Sequence, residues 1–125
     1  MSKRELLDEV FSRYIRARDC PNGQGRCITC GKPITFTSCD AGHYISRRVT
    51  ATRWNEANVH AQCVECNRHK YGCEDHYRTA LVEMYGLPAV LELEAKKHTT
   101  VKFRESDYVE LINYFKEKLK TYDRH

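Results

Sequence analysis

A chain of 125 residues that is 41% hydrophobic has apolar surface for one modest core and not for two. Its charged fraction of 30% and formal net charge of +4 place it among soluble globular chains with a mild basic bias, which tolerates a polyanionic partner without requiring one. No apolar run approaches the roughly 20 residues of a membrane helix, and the start MSKRELLDEV is charged from residue three onward, so a cytosolic location is expected. Seven cysteines are many for that compartment. Their odd number argues against a fully paired disulfide framework and makes metal binding the leading explanation.

Residues 3 to 18 place Leu6, Leu7, Val10, Phe11, Tyr14 and Ile15 at helical spacing, with Arg13, Arg16 and Arg18 toward the other side as a solvated face. Residues 20 to 25 break that pattern as a turn. From Arg26 to about Tyr71 the chain reads as short strands and loops, punctuated by Gly31, Pro33 and Gly42, and residues 45 to 57 show no clear period. A helix is predicted over about 74 to 85, stopping at Gly86; Pro88 opens another through Lys97. The last begins near Ser106 and Asp107 and carries Leu111, Ile112, Phe115 and Leu119 on one stripe. Without repeats or linkers, a single domain over 1–125 is expected: helices at about 3–18 and 74–121 around a core at about 26–72. That core is too poor in apolar residues to hold itself together.

Cys27 and Cys30 form one CxxC pair and Cys63 and Cys66 a second. A two-residue gap turns the chain so that both thiolates meet one ion, and the second pair closes a tetrahedral shell. Four sulfurs leave no open position for substrate, so the expected zinc is structural. Gly31, just after the first pair, suits the tight curl of a zinc knuckle. Cys20, Cys39 and Cys73 have no such pairing and are read as free thiols.

Between the knuckles lies Cys39-Asp40-Ala41-Gly42-His43-Tyr44-Ile45; Asn58 stands five residues before Cys63, and Asn67 follows Cys66 directly, where the knuckle is expected to run into a helix. His43, Asn58 and Asn67 together have HNH spacing. The pattern resembles HNH nucleases, which place a general base, a structural asparagine and a metal-binding residue at these positions. Around the zinc pairs it is similar to phage endonuclease VII. It resembles still more closely the NinG/Rap recombination family of lambdoid phages, through Asp40-Ala41-Gly42-His43-Tyr44, Arg53-Trp54-Asn55-Glu56 with Asn58 and His60, and Gln62-Cys63 through Cys66-Asn67-Arg68-His69-Lys70. The resemblance covers about residues 26 to 120. The long basic N-terminal extension of the lambda member is not expected here.

The resemblance implies an α+β fold, a zinc-stapled ββα-metal core of HNH, treble-clef-like type flanked by amphipathic helices. It also implies a metal-dependent DNA endonuclease whose substrates are branched recombination intermediates, above all Holliday junctions. Phosphodiester hydrolysis needs an activated water, and neutral His43 can take its proton. It also needs a Lewis acid, and Mg2+ or Mn2+ prefers hard oxygens such as the Asn67 amide and the Asp40 carboxylate, the nearest acid. In a regular strand Asp40 and His43 point to opposite faces; a bulge at Gly42 is the expected device for uniting them. Asn58 is assigned to holding the loop that presents His43. His60 and Gln62 share its strand face, His60 more as structure than as catalyst.

Between His43 and Lys70 stand Arg47, Arg48, Arg53, Arg68 and Lys70 against Glu56 and Glu65, a net of +3 in a chain whose total is +4. These five are the candidate phosphate contacts, which set affinity and salt dependence without reading sequence. DNA is therefore the expected partner. Trp54 is read as a core residue ahead of a base-stacking one. Two symmetric cuts in a junction favour a homodimer. Two other readings stay open: a non-catalytic zinc-stabilised module that binds nucleic acid or protein, and an HNH nuclease of plain duplex DNA.

Overall fold

The computed structural model describes residues 1–122. Helix α1 (Lys3–Asp19) opens with a capping box in which the Ser2 hydroxyl accepts from the Glu5 N–H and the Glu5 carboxylate reaches back to the Ser2 N–H. A short hairpin of β1 (Gln24–Arg26) and β2 (Pro33–Thr35) follows, then β3 (Cys39–His43), a single helical turn α2 (Thr50–Arg53), and β4 (Val59–Cys63). A π-helical turn at Glu65–His69 leads to α3 (Glu74–Tyr85), α4 (Leu87–Ala95), a 3-10 turn at Lys96–His98, and α5 (Glu105–Lys120).

The fold is thus mixed α+β with two small antiparallel sheets, β1 with β2 and β3 with β4. Gly86, at φ +89°, separates α3 from α4, and Pro88 sits in the first turn of α4, where its missing N–H is not needed. Two corrections arise in the stretch read as short strands and loops. The aperiodic residues 45–57 contain α2, too short for any period to show. The β3/β4 register pairs Cys39 with Cys63 and His43 with Val59 without a skipped residue, so Gly42 forms no bulge. Gly42 is needed for another reason: a Cβ there would lie 2.1 Å from Gln62 Oε1.

Buried apolar side chains fall into three clusters. One joins α1 to α5, with Phe11 and Phe115 in edge-to-face contact at 4.8 Å and Trp54 packed beneath. Another joins Ile45 to Tyr77, Leu81, Val90 and Leu93 of α3 and α4. The middle cluster consists of Ile34, Ala61 and five cysteines, so the centre of the molecule has little hydrocarbon with which to hold itself. Arg18, expected on a solvated face, instead lies inward and donates to the carbonyls of Glu56 and Val59 at 3.0 and 2.8 Å. It ties α1 to the start of β4, because buried carbonyls there need a donor.

Candidate functional site

The first knuckle is the β1/β2 turn, closed by Gly31 N–H to Cys27 O and Cys27 N–H to Lys32 O, both 2.9 Å, with Gly31 at φ +74°. The second is the end of β4, where the Cys66 N–H points at Cys63 Sγ. The Sγ atoms of Cys27, Cys30, Cys63 and Cys66 all lie within 4.8 Å of one another, and Cys30 and Cys63 are 3.8 Å apart. Zinc–sulfur bonds of about 2.3 Å at tetrahedral angles place sulfurs about 3.8 Å apart. The donor set therefore fits a metal such as zinc. Loss of solvent and neighbouring thiols raise the Cys30 and Cys66 thiols, and a bound cation would favour their thiolate forms. Burial opposes ionisation of Cys27 as well, but hydrogen bonds from Cys63 and Thr29 outweigh it and bring this thiol down to about 6.

His43 ends β3. Its Nε2 lies 2.9 Å from the Arg53 carbonyl, which can only accept, so Nε2 carries the proton. Nδ1 is the lone-pair nitrogen and has no protein partner among the described residues. Burial, together with the charges of Arg47 and Arg53, pushes the His43 pKa down to about 4, so the ring is neutral at physiological pH.

His43, Asp40 and Asn67 line one cavity of about 710 Å3. Without a bulge, β3 directs Asp40 and His43 to opposite faces. The cavity nonetheless reaches both; among the described residues β3 pairs only with β4, which leaves its other edge without a strand. The Asn67 amide donates to Asp40 Oδ2 at 2.9 Å. Arg68 grips the same carboxylate in a two-pronged pair at 2.9 and 2.8 Å while 63% of its side chain stays exposed.

The family model described as "Bacteriophage Lambda NinG protein" matches residues 3–125. The chain belongs to the NinG family. It is 42% identical over 96 residues to "Protein ninG" of Salmonella phage P22, covering 72% of this chain and 44% of that protein. Over 91 residues it is 42% identical to "Protein ninG" of Escherichia phage lambda, with 70% and 41% covered, and over 93 residues 43% identical to that of Enterobacteria phage H19B, with 70% and 42% covered. The chain thus spans less than half the length of the curated relatives it matches. No solved structure matches it.

In this NinG-family chain the remaining predicted residues go to different places. Asn58 is wholly buried; its oxygen accepts from Ile45 N–H at 2.8 Å, and its amide donates to the carbonyls of Ile45 and Thr52 at 3.1 and 3.0 Å. It pins both ends of the loop after His43. His60 accepts from the Tyr85 hydroxyl at Nε2 and meets Tyr77 at Nδ1, and Tyr77 donates to the Gly42 carbonyl at 2.6 Å. This chain braces α3 against β3 and leaves His60 away from the cavity. Gln62 donates to Thr29 and to the Gly72 carbonyl. Trp54 is core, against Phe103 and Tyr108.

Of the five candidate phosphate contacts, Arg47, Arg48, Arg68 and Lys70 are exposed. Arg53 is not: its side chain is 11% exposed and held in a two-pronged pair by Asp8. Asp8 was missed by sequence reasoning. It also accepts from Trp54 Nε1 at 2.9 Å and pairs with Arg47 at 3.3 Å. It thereby fixes the segment whose Arg53 carbonyl sets the His43 tautomer. A lone acid on a helix carries no sign of such a partner 45 residues away.

Proposed function

We propose that this chain is a metal-dependent DNA endonuclease of HNH type, acting on branched recombination intermediates such as four-way junctions. The observation that carries the reading is one cavity holding a neutral imidazole of fixed tautomer beside a paired carboxylate and carboxamide. The chain order strand β3, strand β4, helical turn at Glu65–His69 supports a ββα-metal core held by the cysteine cluster. In this reading His43 Nδ1 takes a proton from water as the water oxygen attacks phosphorus. The bond from phosphorus to the 3′ oxygen breaks, leaving 5′-phosphate and 3′-hydroxyl ends after the leaving oxygen takes a proton from solvent. Mg2+ or Mn2+ held by Asp40 and Asn67 would supply charge neutralisation at the phosphate. Arg47, Arg48, Arg68 and Lys70 would hold flanking phosphates. Paired cuts across a junction call for two active sites and hence a homodimer.

One observation favours a second reading, a non-catalytic zinc-stabilised binding module: both Asp40 oxygens are engaged by Arg68. The experiment incubates the purified protein with linear, nicked and four-way DNA, with and without magnesium. The nuclease reading expects magnesium-dependent cutting, strongest on the four-way substrate. Equal cutting of linear duplex would instead mark a plain duplex nuclease. His43→Ala should abolish cutting while zinc content, folding and DNA affinity stay intact. Asn67→Ala should also lose activity but recover partly with excess magnesium or manganese, because it removes a ligand and leaves the base. Full junction cleavage by well-folded His43→Ala protein would overturn the mechanism.

A further inference from the structure

Tyr71 belongs to neither the core nor the proposed chemistry. It is 94% exposed and has φ +53°, and Gly72 and Cys73 after it are also left-handed at +86° and +51°. Two of those three residues carry a Cβ, which that conformation disfavours. The turn is nonetheless firmly tied. Gly72 N–H donates to Cys66 O at 2.8 Å, Gln62 donates to Gly72 O at 2.8 Å, and Cys73 N–H donates to Lys70 O at 3.1 Å. The fold therefore holds an aromatic ring in solvent on a turn anchored to the second zinc knuckle.

Where the ring stands gives it a use. The 710 Å3 cavity and a second of about 460 Å3 both include His43, Ser46, Tyr71 and Gly72, so they are two arms of one groove that meet at Tyr71. The first arm carries Arg16, Arg47 and Arg68, the second Lys97 and His98. Of the second arm's acids, Glu94 is neutralised by Arg78 at 2.8 Å, and Glu74 stands exposed. The first arm is basic on balance and the second sets Lys97 against Glu74, so the exposed aromatic face at their meeting suits a nucleic-acid strand whose backbone runs along the first arm while one base lies on the ring.

We infer that Tyr71 is a stacking platform for an unpaired base of the DNA strand passing His43, and that it supplies preference for branched over continuous duplex DNA. The inference rests on the nuclease reading and adds a positioning residue to it. In continuous duplex each base face is already covered by its neighbours, so Tyr71 gains nothing there; at a branch point a face is free.

The test compares wild type with Tyr71→Asn, which tolerates the left-handed backbone, and with Tyr71→Ala and Tyr71→Phe. Binding is measured without added magnesium to a four-way junction, a single strand and a linear duplex, with the fluorescent base 2-aminopurine at the branch. Losing one base stack should weaken junction and single-strand binding by about fivefold or more in Tyr71→Asn and Tyr71→Ala. Duplex affinity and the salt slope should stay unchanged, since no phosphate contact is lost. Quenching of 2-aminopurine should persist in wild type and Tyr71→Phe and vanish in the other two. Equal affinities across all variants, or an equal loss on duplex, would overturn the assignment. A change from dimer to monomer with DNA binding intact would also overturn it and give the ring to a second copy of the chain. Wild type that binds and cuts DNA while Tyr71 variants are silent sinks this inference alone; wild type that binds no DNA sinks the nuclease reading with it.

Discussion

Asn58 has no exposed surface and closes three hydrogen bonds to the loop that follows His43. Truncating it leaves Ile45 N–H and Ile45 O buried without their side-chain partner, whereas Thr52 O keeps the Asn55 N–H at 3.2 Å, and each orphaned group costs about 1–3 kcal/mol. Asn58→Ala should therefore lose about 2–4 kcal/mol in urea denaturation, with only partial recovery by relaxation of the loop. Asn58→Asp should not rescue it, because an acceptor-only carboxylate would face two carbonyls. A loss below about 1 kcal/mol would mean that water enters and replaces the amide. At this scale the sequence was informative about side chains defined by local spacing and silent about those defined by distant partners. Asn58 and His43 stand out from the zinc pairs by position alone. Asp8 does not, since its partners Arg53 and Trp54 lie 45 and 46 residues away and nothing in α1 announces them.

At the scale of elements, the long helices were legible because apolar period and punctuation agree. Ser2 and Glu5 start α1, Gly86 with Pro88 divides α3 from α4, and Ile112, Phe115 and Leu119 mark the buried stripe of α5. The β1/β2 hairpin was not legible, because its strands are three residues each and follow the knuckle geometry more than any β pattern. Only the Cys27/Cys30 spacing betrayed it. The middle cluster depends on those same cysteines, so metal and hairpins should form together. Elemental analysis should find one zinc per folded chain. Serine at Cys27, Cys30, Cys63 or Cys66 should abolish stoichiometric zinc and destabilise the fold broadly. Serine at Cys20, Cys39 or Cys73 should leave zinc at one per chain, although the first two are buried in the same cluster and some stability should go with them. Folded protein free of zinc would remove the basis of this coupling.

For the molecule as a whole, one buried and one half-buried imidazole set a pH dependence of stability. Burial pushes His60 down to about 4, with the nearby Arg18 charge acting the same way, and His43 is likewise brought to about 4 by burial and by Arg47 and Arg53. Both have an ordinary value of 6.5. Between pH 6.5 and 4 the unfolded chain therefore takes up protons that the folded chain refuses. Stability should be level with respect to these groups above pH 6.5 and should fall as pH drops through that window, at up to about 1.4 kcal/mol per pH unit for each ring. His60 allows the test without touching the proposed site. Its neutral ring needs Nδ1–H toward Tyr77, because the Tyr77 proton is committed to Gly42 O, and a lone pair at Nε2 toward Tyr85. An added proton at Nε2 would turn the half-exposed Tyr85 hydroxyl from donor to acceptor, so the cost that the folded state resists is the burial of the charge itself. Comparing wild type with His60→Gln by urea denaturation from pH 7 to pH 4.5 isolates this ring. Protonation of the cysteine cluster adds the same acid slope to both proteins, so the difference between the two curves reports His60. Wild type should lose stability more steeply below pH 6.5, by up to one proton's worth of slope. Parallel curves would show that His60 enters the fold already able to accept a proton, and the Tyr85–His60–Tyr77–Gly42 chain would then not be what braces α3 against the strand carrying His43.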